Sequence, residues 1–140
     1  MSLAARDLHR AIYRALLADD ELTALIGPRK VFDRVPDRIA EPYVVIGQMS
    51  ATDWTTATEG GEALVYTIHA WSGAKNRGQC LNIQTAISRI LTSGSLTLSN
   101  NHLIANRRQF AEITRDRRSG HFHGVTRFRG VTEPLTTAQS

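Results

Sequence analysis

The chain has 140 residues, of which 41% are hydrophobic, 21% charged and 6% aromatic, and its formal net charge is +4. This length suits a single domain, and the composition excludes collagen-like, disulfide-rich and strongly disordered proteins. The single cysteine, Cys80, excludes an internal disulfide and indicates a reducing cytoplasm. No stretch approaches the ~20 apolar residues of a membrane span, so we expect a soluble protein without a membrane partner.

The charge is divided unevenly along the chain. Residues 1–70 contain 7 Lys and Arg against 10 Asp and Glu, whereas residues 71–140 contain 10 Lys and Arg against 3 Asp and Glu. Such asymmetry is compatible with nucleic-acid contact by the basic half or with docking of unlike surfaces between copies of the chain. For any single arginine, a solvated position at the surface is the simpler interpretation.

In chain order, the first elements are two helices. Ser2 is a candidate N-cap for a helix that runs to about Ala18, with apolar residues at helical spacing. Asp19 or Asp20 then caps a short helix, which Gly27-Pro28 ends.

Three strands are predicted next, over residues 31–35, 42–46 and 62–72. Residues 50–61 between the last two are predicted to be a long turn or a mobile loop. Both faces of the strand 62–72 are mostly apolar, which implies that it is covered on both sides.

The second half predicts a helix and a long hairpin. Apolar residues from Cys80 to Leu91 have helical spacing, and Gly94 follows the end of this helix. Leu96 and Leu98 are predicted to form a short strand. Two long strands, 102–115 and 121–132, then pair around a turn of polar residues and glycine.

The order of these elements predicts an α+β fold. We expect a mainly antiparallel β-sheet with an N-terminal helix and a middle helix packed on it, followed by the long C-terminal β-hairpin. Residues 1–134 would form the single domain, and residues 135–140 a disordered tail.

Catalytic motifs are missing from the sequence. It has no G-x-S-x-G, P-loop or H-E-x-x-H motif and no paired carboxylates. Cys80 lies on the apolar stripe of its helix, which favours a packing thiol over a nucleophile. His121 and His123 have a spacing that can bind zinc, but two ligands do not complete a site. We therefore expect no enzyme, no metal and no cofactor.

The arginines of the hairpin are the main candidates for contact with a partner. They would cluster if the two strands pair, and guanidinium groups suit phosphate and carboxylate alike. An aromatic residue on the polar loop, Trp54, suits an interface anchor or folds back over the core. The candidate interaction residues are Trp54, Arg107, Arg108, Arg115, Arg117, Arg118, Arg127 and Arg129.

Two roles for the hairpin are open. A protruding two-stranded arm exposes strand edges that another subunit can pair with, and such an arm is marginally stable without that support. As a nucleic-acid element, the hairpin lacks the aromatic residues interleaved on one face that single-strand binders use.

Three parts of the sequence together carry a resemblance to a known family. They are Val31–Pro36 followed by Glu41–Gly47, Tyr66–Ser72 followed by Gly78 and the helix to Leu91, and Thr114–Asp116 followed by a strand that ends near Glu133. In order and spacing they resemble the tail-completion or tail-terminator proteins of long-tailed phages and gene transfer agents. The resemblance covers about residues 5–134.

This resemblance implies a structural virion protein without catalytic residues. Such a protein assembles as a ring, commonly a homohexamer, that caps the tail tube, stops its elongation and joins it to the head connector. The implied partners are further copies of the chain, the tail tube protein and the head–tail connector protein, with DNA only in transit through the lumen. The implied location is the head-proximal end of the tail, after assembly in the bacterial cytoplasm.

Two alternatives come from the residues alone. One is a small basic nucleic-acid-binding module that uses the Arg-rich hairpin, including Arg117 and Arg118. The other is a small metal-dependent enzyme that uses His121 and His123, which the incomplete ligand set disfavours.

Overall fold

We analysed a computed structural model, which describes residues 3–54 and 60–135. The helices are α1 (Leu3–Ala18), α2 (Asp20–Ile26) and α3 (Arg77–Thr92). The strands are β1 (Val31–Phe32), β2 (Tyr43–Asp53), β3 (Glu62–Ser72), β4 (Asn101–Arg115) and β5 (Phe122–Pro134). None of the described helices is long and apolar enough to cross a membrane.

The five strands form one sheet in the order β1-β2-β3-β5-β4. All neighbours are antiparallel except β1 and β2, which are parallel. The predicted α+β class, with a mainly antiparallel sheet and a C-terminal β4–β5 hairpin, is therefore confirmed.

The helices and the sheet enclose one core. Leu8 of α1 lies against Gly130 of β5, and Cys80 and Gln84 of α3 lie against Gly124 of the same strand. Both long helices therefore pack on one side of the sheet, which we call the inner face, while α2 packs on α1 and α3. The largest fully buried side chains of this core are Leu8, Ile12, Leu16, Leu22, Val44, Leu64, Tyr66, Ile68, Ile83, Ile87, Leu91 and Phe128.

A short hydrogen-bonded chain connects the edge of the sheet to α3. The hydroxyl of Tyr66 donates to Asn106 Oδ1 at 2.8 Å, and Asn106 Nδ2 donates to the carbonyl of Leu91 at 2.9 Å. The ring of Tyr66 stacks on Phe128 with 5.4 Å between the centroids. Because β4 is an edge strand, these bonds hold it to the core from one side.

Asp7 of α1 holds the connection between α3 and β4. Its side chain is buried, with 4% exposed, and its oxygens accept from the backbone N–H groups of Ser99 (3.0 Å) and Asn100 (2.7 Å) and from Asn101 Nδ2 (3.1 Å). Burial alone would raise the pKa of Asp7, but the hydrogen bonds from Asn100, Asn101 and Ser99 lower it on balance. An irregular segment is thereby fixed to a helix some ninety positions earlier in the chain.

This connection corrects one sequence prediction. Leu96 and Leu98 do not form a strand, because their segment makes no ladder with the sheet and follows the helix layer instead. Leu98 is buried in the core, so its apolar character reflects packing rather than strand pairing.

Several predicted boundaries also change. β1 is limited to Val31–Phe32, and β2 continues to Asp53, into the segment 50–61 that was predicted to be a loop. β2 extends because its residues up to Asp53 pair with the beginning of β3. The predicted cap Ser2, and all of the predicted tail except Leu135, lie outside the described residues.

The prediction of a protruding arm is wrong. β5 pairs with β3 from Phe122 to Thr132, which is all but the last two residues of the strand, and therefore lies inside the sheet. β4 carries the free edge, and its register shifts near Ile104 and Gln109. These bulges break the regular alternation of side chains along β4, so Arg108 faces the same side as Phe128, whereas Phe110 faces the side of Arg127.

We expect Asp7→Ala to lower the free energy of unfolding by about 2–3 kcal/mol, because two backbone donors and one amide lose their buried acceptor. The lowered pKa stabilises the folded chain above the ordinary Asp value of 3.8, and this contribution is lost as the pH falls below it. Urea unfolding between pH 3 and 7 would test this expectation. A variant whose stability loss is the same at every pH would contradict it.

We expect Gly124→Ala to destabilise the fold by roughly 1–3 kcal/mol, because the added methyl would meet Gln84 Nε2 at 2.6 Å and Cys80 Sγ at 2.9 Å. Gly78→Ala is the matched control, since a methyl at Gly78 meets nothing within 4 Å and lies in a helix. The control should be neutral or stabilising by up to about 1 kcal/mol. Thermal unfolding of both variants provides the comparison, and equal effects would contradict the packing argument.

Candidate interaction surface

The outer face of the sheet, opposite the inner face, carries no helix of the described chain. Side chains alternate along β3 and β5, so that one set enters the core and the other is mostly half-buried or exposed. The sequence predicted that β3 is covered on both sides, and the described helices cover one. The outer-face residues are Tyr43, Val45, Val65, Thr67, His69, Trp71, Arg107, Phe110, Glu112, His123, Val125, Arg127, Arg129 and Val131.

One end of the outer face contains a groove beside Trp54, which we call the Trp54 groove. Its volume is about 370 Å³. Trp54 follows β2, and its backbone N–H donates to the carbonyl of Gly61 at 2.8 Å. The indole lies against Gly61 but keeps 45% of its surface exposed. The groove is lined by Trp54, Ile104, Ala105, Arg107, Arg108, Gln109, Arg129 and Val131.

The groove gathers four of the eight candidate interaction residues. Arg107 and Arg129 lie directly opposite each other on β4 and β5. Arg108, next to a bulge of the edge strand, and Trp54 complete the set. The fold therefore places the guanidinium groups of Arg107 and Arg129 beside an exposed indole and aliphatic side chains, whereas the Arg108 side chain faces the inner side.

A fifth candidate, Arg127, lies farther along the outer face. Its guanidinium carbon is 5.3 Å from the ring centroid of Phe110, its cross-strand neighbour, in a cation–π contact. Phe110 is 41% exposed. The hairpin therefore has an aromatic residue next to one of its arginines, because the bulge near Gln109 turns Phe110 to the side of Arg127.

The other three candidates lie at the turn of the hairpin. Arg115 Nε donates to the carbonyl of Gly120 at 3.1 Å, and its guanidinium is 5.9 Å from the ring centroid of Phe122. Arg117 and Arg118 are exposed in the turn itself. Arg107 and Arg129 therefore oppose each other across the hairpin, whereas the other candidate arginines are spread along it and do not form one cluster.

The opposite end of the outer face holds a stack of rings that the sequence reasoning did not identify. Tyr43, Trp71 and His123 occupy neighbouring register positions on three strands. Tyr43 and Trp71 stack with centroids 6.4 Å apart, and Trp71 and His123 with centroids 4.0 Å apart. Strand pairing brings these rings together. The sequence could indicate the stack only by placing aromatic and imidazole residues at positions that face outward.

Two histidines in this stack share a hydrogen bond. His69 Nδ1 and His123 Nε2 are 2.8 Å apart, and His69 Nε2 lies 3.1 Å from Thr67 Oγ1. Burial lowers the pKa of His69. Burial and then the charge of His69 lower the pKa of His123, against a raising effect of Asp116. The pair is therefore stable when at least one imidazole is neutral.

The histidine spacing singled out in the sequence does not form a pair. His123 contacts His69, whereas His121 Nδ1 lies 2.6 Å from Glu41 Oε2 in the loop before β2. Within residues 3–54 and 60–135, no three metal-ligating side chains converge.

Comparisons with known proteins point to one family. The model of the family described as tail completion protein gp17 matches residues 10–133. Tail completion protein gp17 of Bacillus phage SPP1 is 26% identical over 127 residues, which cover 91% of this chain and 92% of the relative. A chain in the structure of the virion of a native gene transfer agent particle has a TM-score of 0.86 and 27% identity, over 95% of this chain and 99% of that chain.

The histidine pair predicts a pH dependence of stability. Because the pKa values of His69 and His123 are lower in the folded chain, the unfolded chain binds more protons, and stability should fall as the pH drops from about 7 to 5. His69→Gln should make this decline shallower, whereas the control His102→Gln, exposed on β4, should keep the wild-type slope. Urea unfolding measures both, and identical slopes for the two variants would refute the assignment.

Proposed function

The chain belongs to the tail completion protein gp17 family, and from this premise we propose that it forms the ring that terminates the tail tube. A tail completion protein is a structural, non-enzymatic component of the tail of a phage or gene transfer agent virion. The finer proposal is that the ring caps the last turn of the tube, stops its elongation and joins the tube to the head connector. Six copies is the number that the sequence resemblance implies.

The observation that carries this proposal is the match to a chain inside an assembled particle. The match includes 95% of this chain with a TM-score of 0.86, so it extends over the whole sheet and the helix layer. A chain with this fold is therefore compatible with a place in a multi-subunit particle, where its surfaces contact neighbours.

The outer face supports contact between subunits. A closed ring joins two different surfaces of successive copies, which need complementarity but not identity. The outer face offers Val45, Val65 and Val125 together with the ring stack, and the described helices leave it uncovered. Burying such apolar surface contributes roughly 25 cal/mol per Å² before the cost of association.

The uneven charge of the chain has a different effect on assembly. Exposed ion pairs contribute on the order of 0–1 kcal/mol each, so they add little affinity. They increase the encounter rate and exclude wrong orientations. We therefore assign most of the affinity between subunits to the outer face, and orientation to the charges.

The partners follow from this position in the particle. They are further copies of the chain, the tail tube protein and the head–tail connector protein, and DNA contacts the ring only while it passes through the lumen. Assembly takes place in the bacterial cytoplasm, and the ring occupies the head-proximal end of the tail.

Light scattering during size-exclusion chromatography tests the ring. The 15.5 kDa chain should reach a mass of several copies when purified tail tubes are added, at low and at high salt. Tubes capped by the chain should stop growing, whereas tubes without it should reach variable lengths in electron micrographs. A monomer at every salt and concentration, alone and with tubes, would refute the proposal.

A pair of variants tests the role of the outer face in the ring. Val125→Glu adds a charge to the outer face and should lower the population of rings at least tenfold, roughly 1.4 kcal/mol or more. Asn82→Glu adds the same charge on the exposed side of α3 and should leave assembly unchanged. Circular dichroism confirms that both fold, and equal assembly by both would exclude the outer face as the contact.

A further inference from the structure

The Trp54 groove contains a charge pair that the fold leaves uncompensated. Arg107 and Arg129 are direct cross-strand neighbours, and like charges in this position repel. Within the described residues, the ion pairs involve Arg89, His9 and His121, so neither of these arginines has a carboxylate partner. An anionic group in the groove would attract both guanidinium groups and offset the repulsion between them.

Apolar side chains line much of the rest of the groove, together with Arg108 and Gln109. Trp54 is 45% exposed and Ile104 is 44% exposed, and both line the groove together with Ala105 and Val131. Ile104 lies where the register of β4 shifts, and this bulge leaves it outside the regular ladder. Large apolar side chains at a surface groove indicate a partner that supplies an apolar group of its own.

The dimensions of the groove favour a protein segment over nucleic acid. A volume of about 370 Å³ holds a few side chains. Nucleic-acid binders instead distribute positive charge along a track that follows the phosphates. Arg127 lies two positions from Arg129 on the same face, but its guanidinium is over the ring of Phe110. The exposed Arg117 and Arg118 are roughly 30 Å away along β4, at ~3.4 Å per residue. The positive charge at the groove is therefore a short row and not a track along the whole hairpin.

We propose that the Trp54 groove binds an acidic protein segment in which a carboxylate stands next to an aliphatic or aromatic side chain. The carboxylate lies between Arg107 and Arg129, which can each donate two hydrogen bonds to it. The apolar side chain packs on Trp54 and Ile104. This inference rests on the proposed function in one respect, since it assumes that the outer face is a contact surface. It adds which chemical groups the partner presents at one end of that face.

Nuclear magnetic resonance of the isolated chain tests the groove directly. The chain has two tryptophans, so its indole N–H groups give two signals, and Trp54 and Trp71 lie at opposite ends of the outer face. The probe is the peptide acetyl-Leu-Glu-Leu-Asp-Leu-amide, with acetyl-Leu-Gln-Leu-Asn-Leu-amide as the neutral control and a 20-base-pair DNA duplex as the phosphate control.

The acidic peptide should shift the Trp54 signal saturably, with a dissociation constant of roughly 1 mM or below. The neutral peptide should bind at least tenfold more weakly, as should the acidic peptide to the Arg107→Gln/Arg129→Gln variant. No saturable shift, or equal shifts from both peptides, would overturn the proposal. The proposal would also be overturned if the DNA duplex bound at Trp54 more tightly than the acidic peptide and the double variant lost this binding. That result would indicate that the groove binds phosphate groups.

Arg107→Glu separates a binding role from a structural one. The variant places opposite charges across the β4–β5 ladder, so its melting temperature should rise above that of the wild type while peptide binding is lost. Lys75→Glu, an exposed change after β3, is the charge-matched control and should bind the peptide normally. A lower melting temperature for Arg107→Glu, or retained binding, would contradict the proposal. Because the isolated chain is measured, these results do not depend on whether rings form.

Discussion

Both long helices pack on the same face of the five-stranded sheet, and this arrangement sets the position of the core and of the exposed face. Tyr66 and Phe128 stack at the centre of the inner face, and α1 and α3 close over them. Gly124 and Gly130 let these helices approach the sheet closely. The apolar side chains of the helices pack against this inner face. The outward-facing residues of β3 and β5 therefore form a second face that the described helices do not cover.

That outer face has two chemically different ends. One end is a stack of aromatic and imidazole rings from β2, β3 and β5, and the other is a groove that combines an indole with the guanidinium groups of Arg107 and Arg129. A protein whose work is assembly needs such surfaces more than it needs an enclosed pocket, since affinity comes from buried apolar area and orientation from charge. The family of tail completion proteins is structural, and this distribution of side chains is consistent with that role.

The edge of the sheet is less suited to contact than its face. β4 has a long free edge, but register shifts near Ile104 and Gln109 interrupt the regular ladder that another strand would extend. The same shifts turn Phe110 to the outer face and Arg108 to the inner side. Irregularities in one edge strand therefore oppose uncontrolled strand pairing and also determine which side chains the face presents.

The α+β class, the two long helices, the strand 62–72 and the family could be predicted from the sequence, because apolar periodicity and distinctive segments are local properties of the chain. The sequence also marked the arginines of the hairpin and Trp54, although not their neighbours. Three features could not be predicted in this way: β5 is an inner strand, Leu98 is a core residue outside any strand, and His123 contacts His69 rather than His121. These outcomes depend on strand order, bulges and one buried carboxylate, Asp7, which join residues far apart in sequence and leave no periodic signal along it.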